Sequence, residues 1–269
     1  VQQQVGKAGS AIVTNFIAGE ALGFGSGIHI AATDALTYAG TTFDAGTAFS
    51  ITGPQVDAGN AFLMEASGYG SGTDAVLNVD GANVEIDGRV RLYRDAGTGA
   101  IDGARDFTQL SVSTLARDVD ISGPLELVAD DGAVNAKVQA TLNSVSGHVS
   151  LGSALIESQA FNSSARLNVH LTRETAVDAV SQFAVAGDFE LRSTAAGTAG
   201  AGNRGAIATV IAEGPGASYV IGGDLGVQAD GDLAYASALL EARPVEGAVA
   251  SRIDGGIAVQ AVGVGSTAA

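Results

Sequence analysis

The sequence predicts an all-β chain built as a repeat β-solenoid. Three observations carry that reading. A short phrase, apolar-x-Gly-x-apolar-x-apolar, recurs along the chain; apolar and polar residues alternate around it; and the composition, with 38 glycines against 4 prolines, is that of a chain with many tight turns. Full copies run Ile86–Leu92, Ile121–Leu127, Val145–Leu151, Val185–Leu191, Ile221–Val227 and Ile253–Val259, and a degraded copy begins at Ile51. Their central glycines are Gly53, Gly88, Gly123, Gly147, Gly187, Gly223 and Gly255, separated by 35, 35, 24, 40, 36 and 32 residues. A period of roughly 20–50 residues is the mark of solenoids, propellers and arrays. An array of β-sandwich units is the alternative, but its period would be nearer roughly a hundred residues.

Residues 1–44 are less regular. Ile28 and Ile30 alternate, but no clear phrase appears, and the segment reads as worn N-terminal coil or the edge of a preceding region. The repeat array occupies 45–261. In a strand, side chains alternate faces, so Val84, Ile86, Val90 and Leu92 share an inner face, opposite Glu85, Asp87, Arg89 and Arg91. In the next copy Val119, Ile121, Leu125 and Leu127 lie inside, opposite Asp120, Ser122, Pro124 and Glu126. The central glycine falls on the inner face and marks a bend or corner. Second strands lie between the phrases: Leu77 and Val79 align, then LSVSTL from Leu110, then Leu167, Val169 and Leu171, then Ile207, Thr209 and Ile211. Each unit reads as strand, short turn, strand, corner glycine, strand. Connectors such as GSGTD, DAGTGAIDGA and STAAGTAGAGNRG are loops. TRETAVDAVSQF, from Thr172, suits a short helix or an outward loop. Residues 262–269 form a tail.

Composition narrows the function classes. Charge is one-sided, 29 acidic residues against 13 basic, for a net charge of −16. So acidic a chain repels nucleic acid and anionic lipid. Lys7 and Lys137 are the only lysines, and cysteine is absent, which excludes disulfides and thiolate metal sites. A secreted-type chain without disulfides fits a large bacterial surface protein stabilised by its core alone. The chain starts at Val1, so it is expected to be processed or excised from something longer. The nearest approach to a membrane span, Ala11 to Ala32, is broken by Asn15, Glu20, His29 and four glycines. Aromatic residues, at 5%, are too few for the girdles of a membrane barrel.

The constellations that could carry chemistry are thin. GAGNRG (Gly200–Gly205) fits G-x-G-x-x-G but lacks the strand before it and the helix after it that a dinucleotide site needs. Asp118, Asp120, Ser122 and Gly123 imitate half of a calcium loop, yet the twelfth position is Ala129 rather than glutamate. Asp130-Asp131-Gly132 and Asp230-Gly231-Asp232 offer oxygens that calcium could bridge between turns, although such pairs are more often solvated turns. His29, His148 and His170 each point outward with no zinc spacing. GFGSG (Gly23–Gly27) and GYGSG (Gly68–Gly72) miss the nucleophile elbow by one place and suit corresponding turns with an aromatic plug. Asp87, Asp120 and Asp188 point outward as candidate carboxylates for glycoside hydrolysis, but their offsets from the glycine differ, which leaves them on a diagonal at best.

The phrases VEIDGRVRL, VDISGPLEL, VAGDFELRS and VIGGDLGVQA resemble coils of the large secreted β-helical proteins of Gram-negative bacteria, the filamentous-haemagglutinin-like exoproteins and autotransporter passengers. The likeness covers roughly 45–261 and transfers no functional residue. It implies a right-handed parallel β-helix and roles in adhesion, surface coating or filament building. A coil in that family takes roughly 20–25 residues, so intervals near 35 imply looped-out coils or more than one coil per unit. The expectation is therefore a non-catalytic extracellular or cell-surface protein with no catalytic, cofactor or metal residue assigned. It would act by end-to-end self-association or by binding cell-surface glycans, without nucleic acid or a membrane span. A polysaccharide-acting β-helix enzyme is the alternative.

Overall fold

The computed structural model describes residues 1–7, 10–34, 37–53, 56, 59–68, 71–80, 83–95, 107–114, 118–130, 135–145, 147–160, 162–172, 180–194, 203–245, 247 and 249–269. Among these there are 24 strands and no helix. All pairing between strands is parallel. Parallel neighbours from successive turns make this a β-solenoid, and a β-sandwich, whose strands are antiparallel, does not describe it.

A turn has three sides. The first side stacks Gln2–Val5, Ile28–Thr33, Asn60–Ser67, Arg89–Asp95, the later parts of Asp118–Asp130 and His148–Gln159, then Phe189–Thr194, Leu225–Asp230 and Ile257–Val262. The second side is the 9-stranded sheet: Ala11–Ala18, Tyr38–Ala45, Gly72–Val79, Phe107–Thr114, Asn135–Val145, Asn162–Thr172, Arg204–Gly214, Ala234–Pro244 and Thr267–Ala268. The third side holds Leu22–Phe24, Ala48–Ile51, Asn83–Ile86, the opening parts of Asp118–Asp130 and His148–Gln159, Gln182–Val185, Ser218–Ile221 and Arg252–Ile253. Two long strands run round the corner and join the third side to the first in one 15-stranded sheet. The strands of residues 2–45 belong to these same sheets.

Each phrase marks one turn. Successive partners on the second side lie as few as 27 residues apart (Phe16 and Phe43) and as many as 41 (Val169 and Val210). The intervals near 35 are thus single turns of the stack, not two. The core consists of files running along the stack. Ile30, Met64, Leu92, Leu127, Ile156, Leu191 and Val227 form one on the first side, all at 0% exposure. Ile51, Ile86, Ile121, Leu151, Val185 and Ile221 form another on the third side. Burying one such aliphatic side chain is worth about 1.5–3 kcal/mol. Near the first turns the files become aromatic: Phe16, Phe24, Phe43, Phe49 and Phe62 touch with ring centroids 5.1–6.0 Å apart.

The glycine stands where the third side turns into the first, but not because the core lacks room. A Cβ on Gly123 would lie 2.4 Å from the Gly88 carbonyl carbon of the previous turn, and one on Gly53 would lie 2.2 Å from the Gly25 carbonyl oxygen. Backbone stacks directly on backbone at this corner, and only glycine leaves the space. Gly88 also has φ +129°, in the left-handed range.

Three sequence readings need correction. Gly147 is not in this file; it sits between Asn135–Val145 and His148–Gln159, at the corner from second to third side. The true member is Gly152, whose Cβ would meet the Ser122 carbonyl oxygen at 2.6 Å. Here the corner is one residue shorter, with Ile121 opposite Leu151 and Pro124 opposite Ser153, so the template passes over it. With Gly152 in place the glycine separations become 35, 35, 29, 35, 36 and 32. Secondly, Ile207, Thr209 and Ile211 face outward, while Ala206, Ala208, Val210 and Ala212 are buried, because Val210 is held in register with Val169. Thirdly, GFGSG and GYGSG are not corresponding turns. Gly25 lies beneath Gly53 in the glycine file, whereas Gly68 ends the first side and Gly72 begins the second. The helix-or-loop segment and GAGNRG lie partly outside the described residues.

Candidate functional site

On the third side, outward residues of three turns line a shallow groove of about 330 Å3. Register places Asn83 beside Asp118 and His148, and Glu85 beside Asp120 and Ser150. Neighbouring strands lie about 4.8 Å apart, so three carboxylates and an imidazole share one surface. His148 Nε2 is closed to solvent and meets no hydrogen-bond partner. Even so, among the described residues no group of three or more His, Asp or Glu side chains is placed to hold a metal ion.

The candidate carboxylates are not brought together. Asp87 accepts a hydrogen bond from Ser122 Oγ at 3.0 Å, and that oxygen accepts one from the Gly88 amide at 3.0 Å. Asp188 Oδ1 accepts from the Asp224 amide at 2.9 Å, and Asp224 Oδ1 accepts from the Gly256 amide at 2.6 Å. Asp87 and Asp188 therefore pin corners, three turns or about 14 Å apart along the stack. Only Asp120 lies in the groove. Its companion Glu85 was within reach of sequence reasoning, since Glu85 and Asp120 each stand three residues before their corner glycines, Gly88 and Gly123. Ser150 stands two before Gly152, at the shorter corner, so counting back aligns neither it nor His148.

The other singled-out residues have plain structural places. Asp118, Asp120, Ser122 and Gly123 run through one strand, not a calcium loop. His29 Nε2 lies 2.9 Å from Glu65 Oε2, and His170 is exposed on the second side. Asp131 and Gly132 lie outside the described residues. In the 230–232 turn, Gly231 has φ +144° and donates to the Val262 carbonyl at 2.7 Å, while Asp232 Oδ1 accepts from the Val264 amide at 3.4 Å. Arg204 of GAGNRG enters the core, at 3% exposure, between Ser163 and Ala234.

A second cluster was not foreseen. Tyr38 lies along its strand over Gly40, where a Cβ would stand 2.6 Å from the Tyr38 hydroxyl. That hydroxyl donates to Asp74 Oδ2 on the next turn at 3.4 Å. Phe107, one turn further on, brings its ring to 6.0 Å from that of Tyr38. Asp74 Oδ1 is buried without a partner. Burial raises the Asp74 carboxyl above its ordinary value, with the Tyr38 bond acting against it. Burial first, then the Asp74 charge, raises the Tyr38 phenol.

No family model, curated protein or solved structure matches this chain. No helix among the described residues is long and apolar enough to cross a membrane.

Proposed function

We propose that this chain is a non-catalytic structural or adhesive element of an extracellular or cell-surface protein, presenting a stiff β-solenoid to partners. The observation that supports it is the continuous parallel stack whose middle strands on the second side turn Ser, Thr, Asn and Gln outward (Ser111, Thr141, Asn168 and Thr209 in one file, with Val76 before them and Leu239 after). Such a face offers repeated hydroxyl and amide groups to a glycan. Among the described residues the first and last strands of each side are paired on one edge only, and a strand edge left unpaired is a template for association. Electron microscopy of the purified chain, with calcium and with chelator, together with glycan- and surface-binding assays, tests the reading. Rods or filaments that bind a glycan or a surface are expected. Neither self-association nor binding under any calcium condition would overturn it.

A polysaccharide-acting enzyme is the second reading, favoured by the groove holding Glu85, Asp118, Asp120 and His148. Release of reducing ends from polysaccharides, abolished by Glu85→Gln or Asp120→Asn, would establish it.

A further inference from the structure

The chain carries 29 acidic residues, yet they are unevenly placed. On the outer face of the second side, the strands Phe107–Thr114, Asn135–Val145 and Asn162–Thr172 carry no Asp or Glu at all. They carry Lys137 and Arg166 instead. Lys137 faces outward opposite Ser164, and Arg166 opposite Gln139. From a strand spacing of about 4.8 Å and a rise of about 3.3 Å per residue, their Cα atoms lie about 8 Å apart on a diagonal. Both are exposed. Among the described residues neither has an ion-pair or hydrogen-bond partner, whereas Arg89, Arg91, Arg192, Arg243 and Arg252 each face a carboxylate.

Around these two cations the surface is suited to sugars. Gln139 donates to Thr141 Oγ1 at 3.0 Å and Gln109 to Ser111 Oγ at 3.4 Å, so each amide is held flat on the sheet with its carbonyl oxygen free to accept. Phe107 lies in the file that leads to Lys137 and offers a half-buried ring beside that of Tyr38. Outward side chains repeat once per turn, at about 4.8 Å, close to the advance of one sugar unit in an extended chain. A lone cation pair would suit any anion; the hydroxyls, amides and ring beside it suit a polyol that carries carboxylates.

We propose that this face binds an acidic polysaccharide of the polyuronate class. The chain lies along the solenoid axis, with one sugar against Phe107, its neighbours bonded by the Gln109 and Gln139 ladder, and a uronate carboxylate between Lys137 and Arg166. The proposal rests on the adhesive reading only in taking a glycan as the partner.

The test is calorimetric titration of the full chain with oligogalacturonate, against a neutral oligosaccharide of equal length and a single-stranded oligonucleotide of equal charge. Binding to oligogalacturonate is expected, weakening as salt rises, since contacts between exposed charges are screened. The Lys137→Ala/Arg166→Ala double variant should bind at least about tenfold more weakly. Phe107→Ala should weaken binding without changing its salt dependence, and Arg252→Ala, at a distant ion pair, should leave it intact. Equal binding of the oligonucleotide would mean an unselective cation patch and would overturn the proposal. So would binding unaffected by the double variant, or no binding of oligogalacturonate. In the last case, binding of another glycan or surface by the same preparation would leave the adhesive reading standing while this site falls; failure of every partner, with no self-association, would remove both.

Discussion

Replacing Gly123 by alanine tests the central structural claim, that the corner is set by contact between turns. A Cβ there would lie 2.4 Å from the Gly88 carbonyl carbon and 2.6 Å from the Arg89 nitrogen. Ordinary carbon contacts are about 3.5–4.0 Å, so the two turns must part by about 1 Å. A backbone hydrogen bond of about 2.9 Å stretched by that amount leaves bonding range. Losing about two inter-turn bonds, at about 1 kcal/mol each, and adding overpacking strain of about 1–3 kcal/mol, gives a cost of about 3–5 kcal/mol. For a chain of this size that lowers the melting temperature by roughly 6–20 °C. Urea and thermal unfolding followed by far-ultraviolet circular dichroism measure both. Gly19→Ala is the control, since nothing lies within 4 Å of its Cβ position, and it should stay within about 0.5 kcal/mol of the parent. If Gly123→Ala unfolds together with Gly19→Ala, the turns do not touch there and the glycine file is an accident of composition.

Arg204 is 3% exposed, and among the described residues its side chain makes one hydrogen bond, from Nε to the Ala160 carbonyl at 3.4 Å, with no partner on Nη1. Because desolvating that charge is costly, Arg204→Met should be neutral or stabilising by about 1–3 kcal/mol in urea melts, and a clear loss would contradict this account. The Asp74 carboxyl is raised above its ordinary value of 3.8, so the folded chain holds its proton more tightly than the unfolded chain does. Its favourable contribution is complete below that value and is lost as pH rises through the raised one. Asp74→Asn should therefore match the parent in acid and become the more stable of the two towards neutrality; a gap independent of pH would refute it. Asp224→Ala removes the acceptor of the Gly256 amide bond at 2.6 Å and should cost about 1 kcal/mol. Asp120→Ala, which removes no such bond, should cost less than about 0.5 kcal/mol.

Alternation was readable wherever one of the two sets of side chains was clearly larger and more apolar. Val84, Ile86, Val90 and Leu92 against Glu85, Asp87, Arg89 and Arg91 leave no choice of face, and the first four are at most 5% exposed. In AIATVIA the two sets are nearly balanced, and a shift by one residue exchanges every side chain between core and surface. Only pairing with Leu167 and Val169 decides, and pairing across turns is not a local signal. The same limit explains the groove and the cationic face. Glu85 and His148 stand on consecutive rungs beside Asp120, Lys137 sits one rung from Arg166, and Tyr38 reaches Asp74 across 36 residues. Loops of unequal length separate these neighbours, so a fixed period does not align them. One template error, Gly147 for Gly152, displaced a whole rung. Arg94, fully buried between Ala66 and Ala129 in an otherwise small-residue file, carries no warning in its local pattern at all.

Stability in such a stack should be graded along its axis. Each turn contacts only its neighbours, so an internal turn gains two interfaces and a terminal turn one. Strand lengths sharpen the contrast. Asp118–Asp130, Asn135–Val145, His148–Gln159 and Asn162–Thr172 have 13, 11, 12 and 11 residues, whereas Leu22–Phe24 has 3 and Arg252–Ile253 has 2. Inward side chains follow suit: Leu125, Ala154 and Phe189 are at most 2% exposed, while Ile257, in the same file, is 65% exposed. Opening therefore starts at the terminal turns and moves inward, and the amides of residues 118–172 open only in the rarest, most global event. Native-state hydrogen exchange should show slowest exchange in those four strands and fast exchange in Gln2–Val5, Leu22–Phe24 and Ile257–Val262. Uniform protection along the chain would mean that the stack opens as a single unit, and the nearest-neighbour account would fail. Ends that gain protection as the chain concentration rises, with the middle unchanged, would mean that they are held by contacts between chains, as end-to-end association predicts.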